Sequence, residues 1–289
     1  MKKPLGALTA LCLLAFSTSA LAQDAGIPKT GFFAGLGGSY NWAKVDQDLK
    51  GIGISEVLLG STLVASGNAG GPAADFDSDG SAFAPDAQLG YFTNFTDSAW
   101  LAGVKFSYKY LNLTSDDKRD NIPQAGSFTT AGPDHRTIPF TGDVTIGSDQ
   151  ISINHEMALM PFIGRSFGNS YLYLGAGPAL FGTQSKIINA TGFAEIHGTD
   201  LDVTGAPVNL SSSKWVWGGA AQVGVDYYLS PTWFLDLNYT FALSASYKTK
   251  YSSPFTNSNG VLTSVGTAYI NASQQFTSQS VEVSLNRVF

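Results

Sequence analysis

Three histidines and one run of spaced aspartates are the residues of this chain whose types could do chemistry. His135 sits in Asp134-His135-Arg136, His155 in Asn154-His155-Glu156 and His197 in Glu195-Ile196-His197. A hydrolytic site would set one of these imidazoles beside a serine and an acid, or beside an aspartate, so that a nucleophile loses its proton as it attacks. None of the three has such partners at a recognisable spacing. Each is expected to be a rim or loop histidine, no catalytic residue is assigned, and the chain is expected not to be an enzyme. Asp75-Phe76-Asp77-Ser78-Asp79-Gly80, with Asp86 in the twelfth position, fits the D-x-D-x-D-G pattern that wraps a calcium ion. Glu is normal at the twelfth position and no flanking helices are evident. Asp75, Asp77 and Asp79 are therefore expected in a solvated acidic loop, and no metal or cofactor is assigned.

The elements that carry these residues announce themselves by alternation. Trp233, Leu235, Leu237, Tyr239, Phe241, Leu243, Ala245 and Tyr247 share one parity, against Asp236, Asn238, Thr240, Ser244 and Ser246 on the other. A strand in hydrocarbon must have both its ladders paired, so an apolar outer and a polar inner face suit a closed transmembrane barrel. The pattern recurs. Residues 100 to 111 put Trp100, Ala102, Val104, Phe106, Tyr108 and Tyr110 outward, and 214 to 229 put Trp215, Trp217, Ala221, Val223, Val225, Tyr227 and Leu229 outward. In 151 to 164 the outward set is Ile151, Ile153, Met157, Leu159 and Ile163, with His155 a misfit. Segments 31 to 44, 83 to 92, 171 to 184 and 275 to 289 complete eight strands, an even number as single-chain bacterial barrels require.

Composition agrees. Charged residues are 13 per cent of the chain against a typical ~25 per cent, while Gly (32), Phe (19) and Tyr (12) are abundant, so much of the surface is expected not to face water. Residues 1 to 22 carry Lys2 and Lys3, an apolar run from Leu5 to Phe16, and Ser19-Ala20-Leu21-Ala22, the layout of a cleaved signal peptide. The domain expected in the mature protein is 23 to 289. Cys12 lies in the leader, leaving no disulfide framework. The net charge of −6 and the scatter of the basic residues make nucleic acid an unsuitable partner.

All five tryptophans fall at strand ends. Trp100 and Trp233 join Tyr91, Tyr171, Tyr227 and Phe289 in an expected inner girdle, and Trp42, Trp215 and Trp217 join Tyr40, Tyr110 and Tyr247 in an outer one. Connections on the inner side are short and rich in turn residues: 94 to 97, 166 to 169, and Ser230-Pro231-Thr232. Those on the other side, 45 to 82, 113 to 148, 188 to 212 and 250 to 272, are expected as long extracellular loops.

With its leader, its Gly31-Phe32-Phe33-Ala34-Gly35 opening strand, its rhythm of short turns and long loops, and its final Ser284-Leu285-Asn286-Arg287-Val288-Phe289, the chain resembles the eight-stranded outer-membrane barrels of the opacity-type and OmpA transmembrane-domain family. The resemblance implies an all-β, eight-stranded antiparallel up-and-down transmembrane barrel in the outer membrane, in contact with outer-membrane lipid. It also implies that the strand ending in Phe289, with Val281, Val283 and Leu285, is what the barrel-assembly machinery recognises. Arg287 departs from the aromatic or aliphatic residue many members carry there.

Inward parity collects Asp86, Lys105, Lys109, Glu156, Lys214, Asp226, Asp236, Lys248 and Glu282. An eight-stranded barrel is only just wide enough to be filled by its own side chains, so these groups are expected to pair and plug it. The expected role is structural, or adhesion to a host or envelope surface ligand through the loops. A narrow small-solute channel is the alternative, and a lipid-modifying outer-membrane enzyme the third possibility.

Overall fold

The computed structural model describes residues 27 to 289 apart from Ala73, His197 and Gly198. Among the described residues eleven strands form one antiparallel sheet: β1 (Thr30–Leu59), β2 (Thr62–Gly70), β3 (Ala74–Asn94), β4 (Trp100–Thr130), β5 (Thr137–Phe167), β6 (Ser170–Ile196), β7 (Thr199–Asp202), β8 (Val208–Ser230), β9 (Trp233–Ser244), β10 (Tyr247–Ser258) and β11 (Leu262–Val288). They make eight staves, because β2 with β3, β7 with β8, and β9 with β10 each run on as one interrupted wall element. The sheet closes where β1 pairs β11 from Phe33↔Val288 to Leu59↔Leu262. Closure removes the open edge that hydrocarbon would not tolerate. The signal-peptide expectation, Cys12 included, lies outside the described residues.

The outward faces are as the alternation predicts. Phe32, Leu36, Phe83, Leu89, Val104, Leu174, Trp217, Val223, Leu237 and Val283 are all exposed on the wall. At the inner rim Arg165 lies 5.9 Å from the Trp100 ring and Arg287 lies 5.2 Å from the Phe289 ring and 5.9 Å from that of Trp233. Arg287 is thus an interfacial side chain whose cation rests on the aromatic girdle instead of entering hydrocarbon. The tight inner turn at Gly168, with φ 59, uses a residue that meets no Cβ penalty there.

The long connections are the main correction to the sequence. Nearly all of 45 to 82, 113 to 148, 188 to 212 and 250 to 272 is strand that continues the barrel wall beyond the membrane. β4, at 31 residues, is about 100 Å long at ~3.3 Å per residue, or roughly 75 Å in height at ~40° tilt, against an apolar band of ~25 Å. The lipid face ends abruptly. Along β1 the outward row passes from Phe32, Leu36 and Tyr40 to Lys44, Asp46, Asp48 and Lys50, while Val45 and Leu49 turn inward and are buried. Outside the membrane the polarity of the wall is inverted, apolar in and charged out, as in a soluble barrel.

A β-bulge makes the second correction. The registers of β5 with β6 and with β4 shift between Ile153 and His155, so Asn154 is an extra residue that flips the strand over. Below it Leu159 and Ile163 face lipid as expected; above it Ile151 and Ile153, expected outside, are buried in the bore. Asn112, opposite on β4, takes a φ of 43, which accommodates the mismatch.

Candidate functional site

The bore is filled in layers. At the inner mouth Phe33, Phe92, Leu101, Tyr171, Tyr228, Phe234 and Val288 form a buried cluster. Its rings meet edge to face, Phe33 to Phe234 at 5.5 Å and Tyr171 to Tyr228 at 5.4 Å. The Tyr171 hydroxyl donates to the Pro28 carbonyl at 3.3 Å, tying the entering chain beneath the cluster. Tyr171, expected in the girdle, is therefore part of this seal, because its even-numbered neighbours Leu172 and Leu174 take the lipid side.

Above the rings lies the charged layer. Lys105 Nζ is 3.0 Å from Asp236 Oδ2 and donates to the Tyr173 hydroxyl at 2.9 Å; that hydroxyl in turn donates to Asp236 Oδ1 at 2.8 Å. Gln88 Nε2 also donates to Asp236 at 3.1 Å. Lys109 lies 3.4 Å from Glu282 and 3.6 Å from Glu156, and donates to Ser280 at 2.8 Å. Asp86 shares this layer with its carboxyl set against that of Glu282, and Asp226 leaves its Oδ1 without a hydrogen-bond partner among the described residues. Seven of the nine predicted lumenal charges therefore face inward. Lys214 and Lys248 do not. Both are exposed beyond the membrane, where the Lys214 ammonium donates to the Lys248 carbonyl, because their segments lie where β8 and the β9–β10 stave separate.

A third layer is apolar: Leu111, Leu113, Ile151, Ile153, Met160, Phe181 and Phe276 are buried together, with Phe181 and Phe276 edge to face at 4.9 Å. Sequence reasoning missed it, although Leu111 and Leu113 continue the inward parity of Lys105 and Lys109. Further out Gln47 donates to Asp149 and Gln274 to Gln47 and Ser185, a polar belt beneath a second apolar cluster of Leu49, Phe76, Ile122, Ile146, Ile187, Tyr251 and Ile270. Burial there raises the Tyr251 phenol to about 12.

The acidic motif is not a loop. Asp75, Asp77 and Asp79 all stand on the exposed face of β3, opposite Asp48, Asp46 and Lys44 of β1. A two-residue spacing in a strand sets their carboxylates in a row roughly 6.6 Å apart instead of around one point, and Asp86 faces the bore. Among the described residues no group of three or more acidic, His or Cys side chains converges as metal ligands. Lys44 bridges Asp46 at 2.6 Å and Asp77 at 3.2 Å. The Asp48 carboxyl is held above its usual range by a hydrogen bond with Asp75, then by partial burial and by repulsion.

Of the histidines, His155 lies on the wall, with Nδ1 3.0 Å from the Tyr108 hydroxyl and its ring stacked on Trp215 at 5.8 Å, between Tyr108 and Tyr110. This is an outer-girdle aromatic cluster. His135 is exposed in the β4–β5 turn, and His197 lies outside the described residues.

A closed antiparallel barrel with a 25 Å-scale lipid face, two aromatic girdles and a packed bore defines an integral outer-membrane protein. A family model for the outer membrane protein beta-barrel domain matches residues 8 to 276, and the chain belongs to that family. It is similar to outer membrane protein P1 of Coxiella burnetii, with 28% identity over 265 residues that cover 90% of this chain and 85% of that one. Among solved structures it is similar to the outer membrane protein OprG from Pseudomonas aeruginosa, at 13% identity and a TM-score of 0.33, covering 91% of this chain and 98% of that chain. It is also similar to Neisserial surface protein A, at 10% identity and a TM-score of 0.31, covering 87% and 97%.

Proposed function

We propose that the protein is a surface-interaction barrel: a membrane anchor whose rigid extracellular wall presents recognition surfaces to a host or envelope ligand. The observation that carries this is the bore itself. An aromatic cluster at the inner mouth and an apolar layer around Phe181 and Phe276 bracket the charged layer, so the lumenal charges serve packing and not conduction. Water-filled channels belong to barrels of about 16 or more strands. The exposed faces of the extension, such as Lys44, Asp46, Asp48, Asp75 and Asp77 on adjoining strands, are ordered by ladders and so are preorganised for binding.

The test is adhesion. Non-adherent cells displaying the protein should bind surfaces coated with host extracellular matrix or envelope extracts. Binding should be lost when residues 52 to 70, the β1–β2 hairpin tip, are replaced by a short Gly-Ser turn while the heat-modifiable gel shift of a folded barrel is retained. Equal retention of cells with and without the protein on every surface would overturn the proposal. Mass spectrometry of lipid A from the same cells tests the enzymatic alternative, which this reading expects to show no modification.

We also propose that the C-terminal strand is read by the barrel-assembly machinery. Phe289 is exposed and its amide donates to the Phe32 carbonyl at 2.8 Å, at the seam where the first and last strands meet. Deleting it should deplete the folded barrel in cells more than it impairs refolding of purified chain in detergent.

A further inference from the structure

Far above the membrane the extension holds a chamber that the packing leaves open. It encloses about 90 Å3 behind an open mouth, several times the ~10–15 Å3 that one water needs and short of the ~300–1,000 Å3 of drug-sized sites, a size that suits a slim chain. Its walls come from β1, β2, β4, β5, β6, β8, β10 and β11, and its lining is apolar, with Phe128, Phe140, Phe193, Leu210, Phe255 and Ile270 facing the space. Leu210 lies five residues beyond Trp215 of the outer girdle, and Phe255 eight beyond Tyr247, which packs into the bore and not on the girdle where the sequence put it, so the chamber sits roughly 13 to 20 Å from the lipid boundary. Water reaches this level, and the belt of Gln47 and Gln274 beneath it shows that the same wall can carry polar side chains inward.

Two further features point to a guest. Gln124 lines the chamber and is 7% exposed; its amide nitrogen donates to the Pro123 and Ile122 carbonyls at 3.0 and 3.4 Å, while its Oε1 has no hydrogen-bond partner. A buried acceptor left unmatched costs free energy until a donor reaches it. The wall is also unpaired beside the chamber. The β8–β9 ladder stops at Gly218↔Ser244 and β10 pairs only β11, so among the described residues β8 from Val208 to Trp217 has no partner strand on its β10 side. The gap is bounded below by Lys214 on the Lys248 carbonyl and above by Asn257 Nδ2 donating to the Asp202 carbonyl at 2.7 Å. The ladder is also interrupted between β3 and β4, but β3 contributes nothing to the chamber wall.

We propose that this chamber is a binding site for an amphiphile with an alkyl body and one hydrogen-bond donor at its head, entering through the gap between β8 and β10. Burial of the alkyl chain supplies the affinity and the head donates to Gln124 Oε1. The molecule could be drawn from water or from a bilayer lipid whose head carries an N–H donor, since both present an alkyl chain and a donor. The proposal stands apart from the adhesion reading, because it concerns the interior of the extension and not its outer faces.

The experiment uses the full mature chain refolded in phosphatidylcholine nanodiscs. One arm adds a diazirine-bearing dodecanol from water; the other includes a phosphatidylethanolamine, whose ammonium can donate, with the diazirine on its acyl chain. After irradiation, crosslinks are mapped by mass spectrometry. Labelling of peptides containing Phe128, Phe193 or Phe255 is expected, and the arm that yields it names the source. Ala268→Trp and Ala69→Trp, on the two strands that flank Gly53 of β1, each put an indole into the chamber and should abolish that labelling while leaving crosslinks at Leu36 and Phe241 unchanged and the gel shift intact. Gln124→Leu should weaken competition by unlabelled dodecanol about fivefold, the worth of one hydrogen bond. Crosslinks confined to the lipid face in both arms, or chamber labelling indifferent to both tryptophans, would overturn the site.

Discussion

Lys105 offers the sharpest test of how the bore is built. Its side chain is 3% exposed and that of Asp236 2%, with 3.0 Å between the charges, so replacing Lys105 by Met removes a buried ion pair while keeping most of the aliphatic volume. Breaking such a pair by deleting one partner costs about 3–5 kcal/mol, because the other charge stays buried. Here Asp236 would keep donors from Tyr173 at 2.8 Å, Gln88 at 3.1 Å and Asn238 at 3.2 Å, which places the expected cost near the lower end, about 3 kcal/mol. Asp236→Asn on the Lys105→Met background removes the orphaned charge and retains an acceptor, so it should recover about half the loss or more. The assay is urea-dependent folding into large vesicles, followed by tryptophan fluorescence and the gel shift. In a water-filled bore the same pair would be worth only ~0–1 kcal/mol. A Lys105→Met cost below about 1 kcal/mol, with no coupling to Asp236→Asn, would refute the plugged lumen.

Further expectations concern the wall. Val104, 40% exposed on the lipid face, should cost about 2–4 kcal/mol when changed to Arg, whereas Ser107→Asn in the bore should cost far less; equal losses in the same titration would invalidate the face assignment. Asp48→Asn should stabilise the fold near neutral pH and give no gain below about pH 4. In the folded protein Asp75 holds the Asp48 carboxyl above its ordinary value, so the stability tied to protonation is complete below the unfolded pKa and is lost as pH rises through the raised one. A benefit that persists unchanged into acid would contradict that origin. Protease added to intact cells should cut at the exposed tips, residues 131 to 136 and 203 to 207, and spare the ladders on either side. Cutting at Pro231-Thr232 on intact cells would reverse the topology.

The membrane-level wall was legible because lipid imposes a hard rule on outward residues, and Phe32, Val104, Val223 and Leu237 obey it. Beyond the membrane the rule reverses. Lys44, Asp46, Asp48 and Lys50 still alternate with Val45, Gln47 and Leu49, so the strand signal never stops; it changes sign, and an apolar outer face is the wrong marker for it. The bulge at Asn154 was illegible for another reason. Both Ile151 and Ile153 suit lipid or core equally, and only the pairing of β5 with its neighbours decides which side they take. Parity found seven of the lumenal charges and misplaced Lys214 and Lys248, where the wall is interrupted, while the chamber around Gln124 depends on eight wall elements meeting in space and leaves no local pattern.

The central claim, a barrel whose bore is packed shut so that its work is done on its outer surfaces, is tested most directly by single-channel recording in planar bilayers. The account predicts that purified, gel-shift-positive protein gives no discrete conductance steps, and that paired removal of Phe33 and Phe234 from the inner seal is needed before any appear. Regular steps from the unaltered protein, shifted in size or ion preference by substitution of Lys105 or Lys109, would contradict it.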